Sequence, residues 1–209
     1  MNKIVNLLIV IYLILLLSGC ATIKDESNYT SVPVSETPKQ SWQSYQRSLY
    51  QINGWEGSGV IGIIINNKGE SANFIWQQDN HNYYIQLYGP MGIGAVSLKG
   101  KPNSVTLTKN NGEKLTANNA SQLMDKALGW SVPVGGMFYW GKGLPKPNAA
   151  KTFTINKYGL LAELHQDGWS ITYSKYKYYL DQFPLPGKIT LEKGDLKVKI
   201  VVKSWHINQ

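Results

Sequence analysis

Near its C-terminus the chain spells out one strand in full. Leu196, Val198, Ile200 and Val202 fall on one side of an extended backbone, and Lys197, Lys199 and Lys203 on the other, with Val201 the exception. Side chains alternate across a strand with a period of two, so this segment has one covered face and one wet face, as in an antiparallel sheet buried on a single side. Partners for such a strand are plentiful. Val60, Ile61, Ile63, Ile64 and Ile65 are β-branched, and the Asn66–Gly69 stretch turns the chain into residues 71–76. Short strands follow at 82–87, 94–99 and 104–109, punctuated by Lys101-Pro-Asn103 and Asn110-Asn-Gly112. A hairpin is expected from 160–165 through Gln166-Asp-Gly168 to 169–174. The last pair joins 188–192 to the C-terminal strand at Lys193-Gly-Asp195. A meander of this spacing implies a barrel or a strongly curved sheet.

Helices are scarce, and their scarcity bears on function. Ser41 can cap a helix in which Trp42, Tyr45, Leu49 and Ile52 recur at helical spacing, with Gly54 as its expected stop. A second is expected from Asn118 or Asn119 through Ala120, Leu123, Met124, Ala127 and Leu128, ending at Gly129. Residues 130–140, with Trp130, Phe138, Tyr139 and Trp140, read as a short aromatic helix or turn closed by Gly141, Gly143 and Pro145. Two or three short helices over so many strands make a small lid, and a curved sheet under a small lid leaves an apolar hollow of the kind in which ligands sit.

The other end of the chain is an export signal. Lys3 precedes a nearly unbroken apolar run from Ile4 to Leu17, the length of a signal-peptide core and short of the ~20 residues that span a bilayer. The run closes on Leu17-Ser-Gly-Cys20, which resembles the bacterial lipobox. That resemblance implies cleavage before Cys20 and acylation of it, giving a signal peptide at 1–19. Cys20 is also the one cysteine of the chain, so no internal disulfide and no thiolate metal cluster can form. Ala21 is not the aspartate associated with inner-membrane retention, which implies an outer-membrane address. Residues 21–40 are rich in Ser, Thr, Pro and charge and read as a tether spanning roughly 25 Å at random-coil scaling. The rest, 41–209, is one domain with enough chain for a sizeable core.

Against that anchor, one loop stands out. Tyr88-Gly-Pro-Met-Gly-Ile93 bends through Gly89, Pro90 and Gly92 yet carries Met91 and Ile93 at its tip. Apolar side chains on a loop tip need a core or an apolar partner outside the molecule.

Other chemistry is not written here. Gly57-Ser-Gly-Val-Ile-Gly62 matches the dinucleotide pattern literally, but a helix precedes it and Ile63-Ile-Ile65 continues a strand. A pyrophosphate site needs the reverse order; glycines here suit a bending strand. Glu56 stands where a nucleophile elbow around Ser58 would need glycine. His81, His165 and His206 are far apart and lack ligand spacing, so no metal and no cofactor is expected. Glu56 and Glu163 are the acidic residues set in apolar surroundings, without further sign of a glycosidase pair. The formal charge is +8, with Lys175, Lys177, Lys188, Lys193, Lys197, Lys199 and Lys203 late in the chain. For an exported lipoprotein this suits an anionic membrane or an acidic protein partner, not nucleic acid.

Phe74-Ile-Trp-Gln-Gln78, Leu87-Tyr-Gly-Pro-Met-Gly92, Trp140 through Gly143-Leu-Pro145, Trp169-Ser-Ile-Thr-Tyr173 and Leu185-Pro186 leading to Ile189-Thr-Leu191 together resemble the LolB family of Gram-negative outer-membrane lipoprotein receptors. The likeness covers nearly all of the mature chain. It implies a mainly β (α+β) fold, an incomplete antiparallel β-barrel with a small helical lid over a hydrophobic cavity. It implies a non-enzymatic, monomeric receptor on the periplasmic face of the outer membrane, taking acylated lipoproteins from a LolA-like carrier and inserting them into outer-membrane lipid. In the family a leucine protrudes from the loop after the third strand; Met91 holds the matching place, within the loop Pro90, Met91, Gly92 and Ile93. Candidates for the acyl-cavity lining are Trp55, Phe74, Trp76, Tyr84, Leu87 and Leu123, with Met124, Phe138, Trp140, Trp169, Tyr173 and Ile189. Two other classes stay open: a lipoprotein that binds envelope components or scaffolds a complex without a cavity, and a hydrolase.

Overall fold

The structure is a computed structural model, and it describes residues 32–33, 40–90 and 94–208. Fourteen strands and three helices are found among them. In chain order these are β1 (Val32–Pro33), α1 (Trp42–Tyr50), β2 (Gly54–Ile65), β3 (Lys68–Asp79), β4 (Asn82–Tyr88), β5 (Val96–Lys101), β6 (Ser104–Lys109) and β7 (Lys114–Ala117). Then come α2 (Ala120–Leu128), α3 (Val134–Trp140), β8 (Lys151–Ile155), β9 (Leu161–Gln166), β10 (Trp169–Ser174), β11 (Lys177–Tyr179), β12 (Phe183–Leu185), β13 (Lys188–Lys193) and β14 (Leu196–Asn208).

Eleven of the strands form one antiparallel sheet in the order β7-β6-β5-β4-β3-β2-β14-β13-β10-β9-β8. Its end strands, β7 and β8, are not paired with each other, so the barrel stays open. The chain between those two edges, 118–150, carries α2 and α3. A small second sheet pairs β1 with β11 and β11 with β12. Val32 and Pro33 thus sit in register with Tyr178 and Lys177, within the stretch whose composition reads as tether.

Local chemistry sets most boundaries. Ser41 caps α1, which ends at Gln51 in a right-handed conformation; Gly54 opens β2 and is not the helix stop. Asn119 caps α2 by accepting from the backbone N–H groups of Ser121 and Gln122, and Gly129 ends it at φ 77°, the left-handed conformation glycine adopts without penalty. Asp167 and Gly168, at φ 54° and 77°, form the two-residue turn between β9 and β10.

The apolar alternation of β2 and β14 faces one common interior. β14 keeps it by breaking its own rhythm: its register against β2 shifts between Val202 and Ser204. That one-residue bulge reverses the parity, so Trp205 and Ile207 face inward where Ser204 and His206 otherwise would. Opposite the bulge, a Cβ on Gly59 would lie 2.0 Å from the Val201 carbonyl oxygen, so no larger residue fits. The Gly57–Gly62 pattern therefore lies wholly inside a twelve-residue strand.

Candidate functional site

Between the inner face of the sheet and the two helices lies an apolar space. Its wall begins with Trp55, Gly57 and Ile61 on β2 and Phe74 and Trp76 on β3. It continues through Ile85 and Leu87 on β4 and Leu98 on β5, then Ile200, Val202 and Trp205 on β14, with Ile189 on β13. The roof is Met124 of α2, Trp130 and Val132 of the link, and Val134 and Met137 of α3. Each strand delivers alternate residues because the sheet has one buried face, and the exposed lining carries no polar atom. The free volume is about 60 Å³. That is room for a few atoms of water size, at ~10–15 Å³ each, and not for an acyl chain. The roof sits down on the wall.

Six of the twelve residues expected at the lining border this space: Trp55, Phe74, Trp76, Leu87, Met124 and Ile189. Tyr84 does not, and the expectation is corrected. It pairs with Gln77, whose side chain bonds to Glu56 on the outer face, while its neighbour Ile85 pairs with Trp76 and faces in. One residue of parity moves a side chain to the other face. Leu123 is buried on α2 away from the space. Trp140 has no exposed surface; its indole N–H donates to Gln166 Oε1 at 2.8 Å and its ring meets Trp169 at 6.4 Å. Trp169 and Tyr173 stand on β10, beyond Ile189, in the filled part of the interior. Phe138 is half-buried under the Lys142 ammonium, 4.3 Å from the ring centre.

Ile61 and Ile200 were legible from strand parity. Trp205 was hidden by the bulge, and Trp130 and Val132 belong to a link with no periodicity. Pro90 is exposed at the end of the segment leaving β4, whereas Met91, Gly92 and Ile93 lie outside the described residues, as does Cys20.

Polar groups hold the roof at one end. Lys142, just past α3, is buried and donates Nζ to the Ile52 carbonyl at 2.6 Å; burial lowers its pKa from 10.5 to about 8. Tyr50 donates to the Pro145 carbonyl at 2.7 Å. Gln166 Oε1 also accepts the Lys146 backbone N–H. The link before α3 is held more lightly, by Ser121 Oγ donating to the Val132 carbonyl at 3.2 Å. Glu56 and Glu163 do not sit in apolar surroundings. Glu56 lies on the outer face, and Glu163, side chain 43% exposed, meets His165 at 3.0 Å.

The Outer membrane lipoprotein LolB family model matches residues 19–205. The chain belongs to the LolB family. It is 44% identical over 202 residues to the outer-membrane lipoprotein LolB of Francisella tularensis subsp. novicida, covering 97% of this chain and 94% of that one. To LolB of Nitrosococcus oceani it is 34% identical over 203 residues, 97% and 98% of the two chains. Among solved structures, this LolB-family chain is similar to a LolA superfamily protein from Nitrosomonas europaea, at a TM-score of 0.55 and 9% identity over 81% of this chain and 94% of that one. It is also similar to a DUF1329 family protein from Desulfovibrio piger, at 0.53 and 7%, over 80% and 91%. At such identities the likeness is one of fold. An open antiparallel sheet beside a few helices is thus shared by chains with almost no sequence in common.

Proposed function

We propose that this chain is an outer-membrane-anchored lipoprotein receptor that accepts acylated lipoproteins from a LolA-like periplasmic carrier and inserts them into the membrane. One observation carries the reading: in a LolB-family chain, the curved sheet and its helical roof meet over a space with no polar lining. Acyl chains cost ~0.8 kcal/mol per exposed methylene, so cargo must pass between sheltered sites and moves downhill if the receptor holds it more tightly. The space at rest is far smaller than its cargo. Accepting it requires the roof to lift, from the lightly held link and α2 while the end of α3 stays fixed.

Cys20 carries the lipid that holds the protein at the periplasmic face, residues 21–40 tether the domain, and the domain works as a monomer. The basic residues along the sheet orient an acidic carrier. Met91, with Ile93 beside it and Pro90 and Gly92 shaping the loop, enters the outer-membrane lipid and opens the way for the cargo.

The test separates the two steps. Met91→Glu should accept a lipoprotein from a loaded carrier at the wild-type rate yet deliver to liposomes at least tenfold more slowly. Normal delivery by this variant defeats the loop assignment. The small resting volume favours a second reading, a lipoprotein that scaffolds an envelope complex around a filled core. A fluorescent fatty acid discriminates, because a filled core gives no saturable binding.

A further inference from the structure

The outer face of the sheet carries a concavity of its own. At the end where β2 begins and β14 finishes, strand pairing sets one residue from each of six strands in a single row: His206, Glu56, Gln77, Tyr84, Lys99 and Thr106. Their chain neighbours Trp205, Trp76, Ile85, Leu98 and Leu107 are buried, so parity puts the whole row outside. Six strands at their usual spacing make the row roughly 24 Å long. All six residues line one groove of about 830 Å³, a volume typical of ligand sites. The adjacent inward row adds Trp55, Gln78, Tyr83 and Gly100 to its border.

What such a groove can hold follows from its chemistry. Its charged groups are Glu56, Asp79, Lys99 and Lys101, two of each sign in a chain whose formal charge is +8. An anion or a cation therefore meets as much repulsion as attraction there. No group of residues able to hold a metal ion gathers among the described residues. Each of the six strands is already paired on both sides, so a peptide cannot add to them as a further strand. An acyl chain would only bury amide, carboxylate, amine and hydroxyl groups without bonding them. One aromatic ring, Tyr84, stands near the middle of the row. Beside it lie two planar polar groups held in advance: Gln77 Nε2 donates to Glu56 Oε2 at 2.8 Å. That bond uses one of the two carboxylate oxygens and one of the two amide N–H groups.

We infer that this groove binds a neutral saccharide chain laid across the strands. A sugar ring has a C–H face that packs on an aromatic ring, and a rim of hydroxyls that both donate and accept. Tyr84 supplies the ring. Gln77 and Glu56 follow it along the row on one side, Lys99 and Thr106 on the other, so donors and acceptors stand to both sides of it. The row is long enough for several sugar units end to end. The site does not depend on the acyl cavity, and it gives the protein a hold on glycan that is separate from any handling of lipid.

The test uses the full mature chain with Cys20→Ser, which cannot be acylated and so needs no detergent. Calorimetric titration with chitotetraose and with maltotetraose compares neutral chains with and without acetamido groups, and tells the two kinds of glycan apart. Saturable binding of at least one is expected, tighter than roughly 1 mM and unchanged when the salt is raised several-fold. Tyr84→Ala should weaken it about tenfold, and Gln77→Ala several-fold. Lys199→Ala, on the exposed face of β14 and outside the groove, should leave it unaltered. Near-ultraviolet circular dichroism checks that each variant keeps its fold. Absence of saturable binding by both sugars, equal binding by Tyr84→Ala, or an affinity that falls steeply with salt overturns the inference. If neither sugar binds and Tyr84→Ala instead slows acceptance of cargo from a loaded carrier, the face belongs to a protein partner. The saccharide inference then fails while the receptor reading stands.

Discussion

On β9, β10 and β13 the inward-facing Leu164, Ile171 and Leu191 are 0% exposed, whereas Ile61, Phe74 and Trp76, on β2 and β3 of the same sheet, keep 7–8%. The filled region also holds Trp140, Leu144 and Leu161, each with no exposed surface. The looser set borders the apolar space, which the closely packed Leu98 and Ile189 also line. One sheet thus serves two ends, because closely packed side chains resist displacement while a wall with unfilled volume has lost part of its contacts. Stability is concentrated on one side and unfilled volume on the other, with α3 pinned to the first by Trp140 and roofing the second through Val134 and Met137. The same substitution should therefore have different consequences on the two sides.

The largest contrast is expected for leucine truncation. Leu164→Ala removes a side chain with no room to relax and should cost about 3–5 kcal/mol in urea unfolding. Leu87→Ala, on the half-buried wall of the space, should cost about 1–2 kcal/mol, with less contact to lose. Equal costs would remove the distinction between the regions.

Lys142 offers a test by pH at their junction. Its pKa falls from 10.5 to about 8 on burial, so between those values the unfolded chain binds more protons than the folded one and stability rises with pH. At 1.36 kcal/mol per unit the full rise is about 3 kcal/mol. Tyr173, Tyr176 and Tyr178 act in the opposite sense: burial raises their pKa values, so the stability they contribute is lost as pH climbs past 10. Unfolding free energy should climb from pH 8, peak near 10 and then decline. Lys142→Met should flatten the climb and spare the decline, read by denaturation at a series of pH values.

Valine enlargement on β14 sharpens the comparison within a single strand. Val198 and Val202 face the same interior, but Val198 is 0% exposed and Val202 borders the space. Val198→Leu should overpack and cost ~1–3 kcal/mol. Val202→Leu should be nearly neutral in unfolding while weakening fatty-acid binding several-fold, because the added methylene takes ligand volume.

What the sequence disclosed follows the same physical divide between local and distant causes. The cap at Asn119, the stop at Gly129 and the turn at Asp167-Gly168 are decided by a few neighbouring residues, and each stands where the residues place it. β8 was missed because Lys151–Ile155 is an edge strand exposed along its length, with no buried face to impose an alternation. β1 and β11 are strands only through each other and β12, a pairing of residues about 145 positions apart. At the site, alternation identified the wall strands, but it could not choose between Tyr84 and Ile85, nor foresee that the shift after Val202 turns Trp205 inward.

The smallest effect asks which helix governs entry. Asn119→Ala removes the side chain that accepts from Ser121 N at 2.9 Å and Gln122 N at 3.3 Å, and should cost ~1 kcal/mol. Ser41→Ala does the same at α1, where the side chain accepts from Ser44 N at 3.4 Å, and should cost ~0.5 kcal/mol. α1 sets Tyr45 against Tyr178 of the small sheet and takes no part in the space. α2 contributes Met124 to the roof, so fraying its first turn favours states in which the roof is raised. Stopped-flow binding of a fluorescent fatty acid should therefore quicken several-fold in Asn119→Ala and stay unchanged in Ser41→Ala. Were both variants to quicken in proportion to their lost stability, entry would follow unfolding of the whole domain, and the lightly held link between α2 and α3 would not be the moving part.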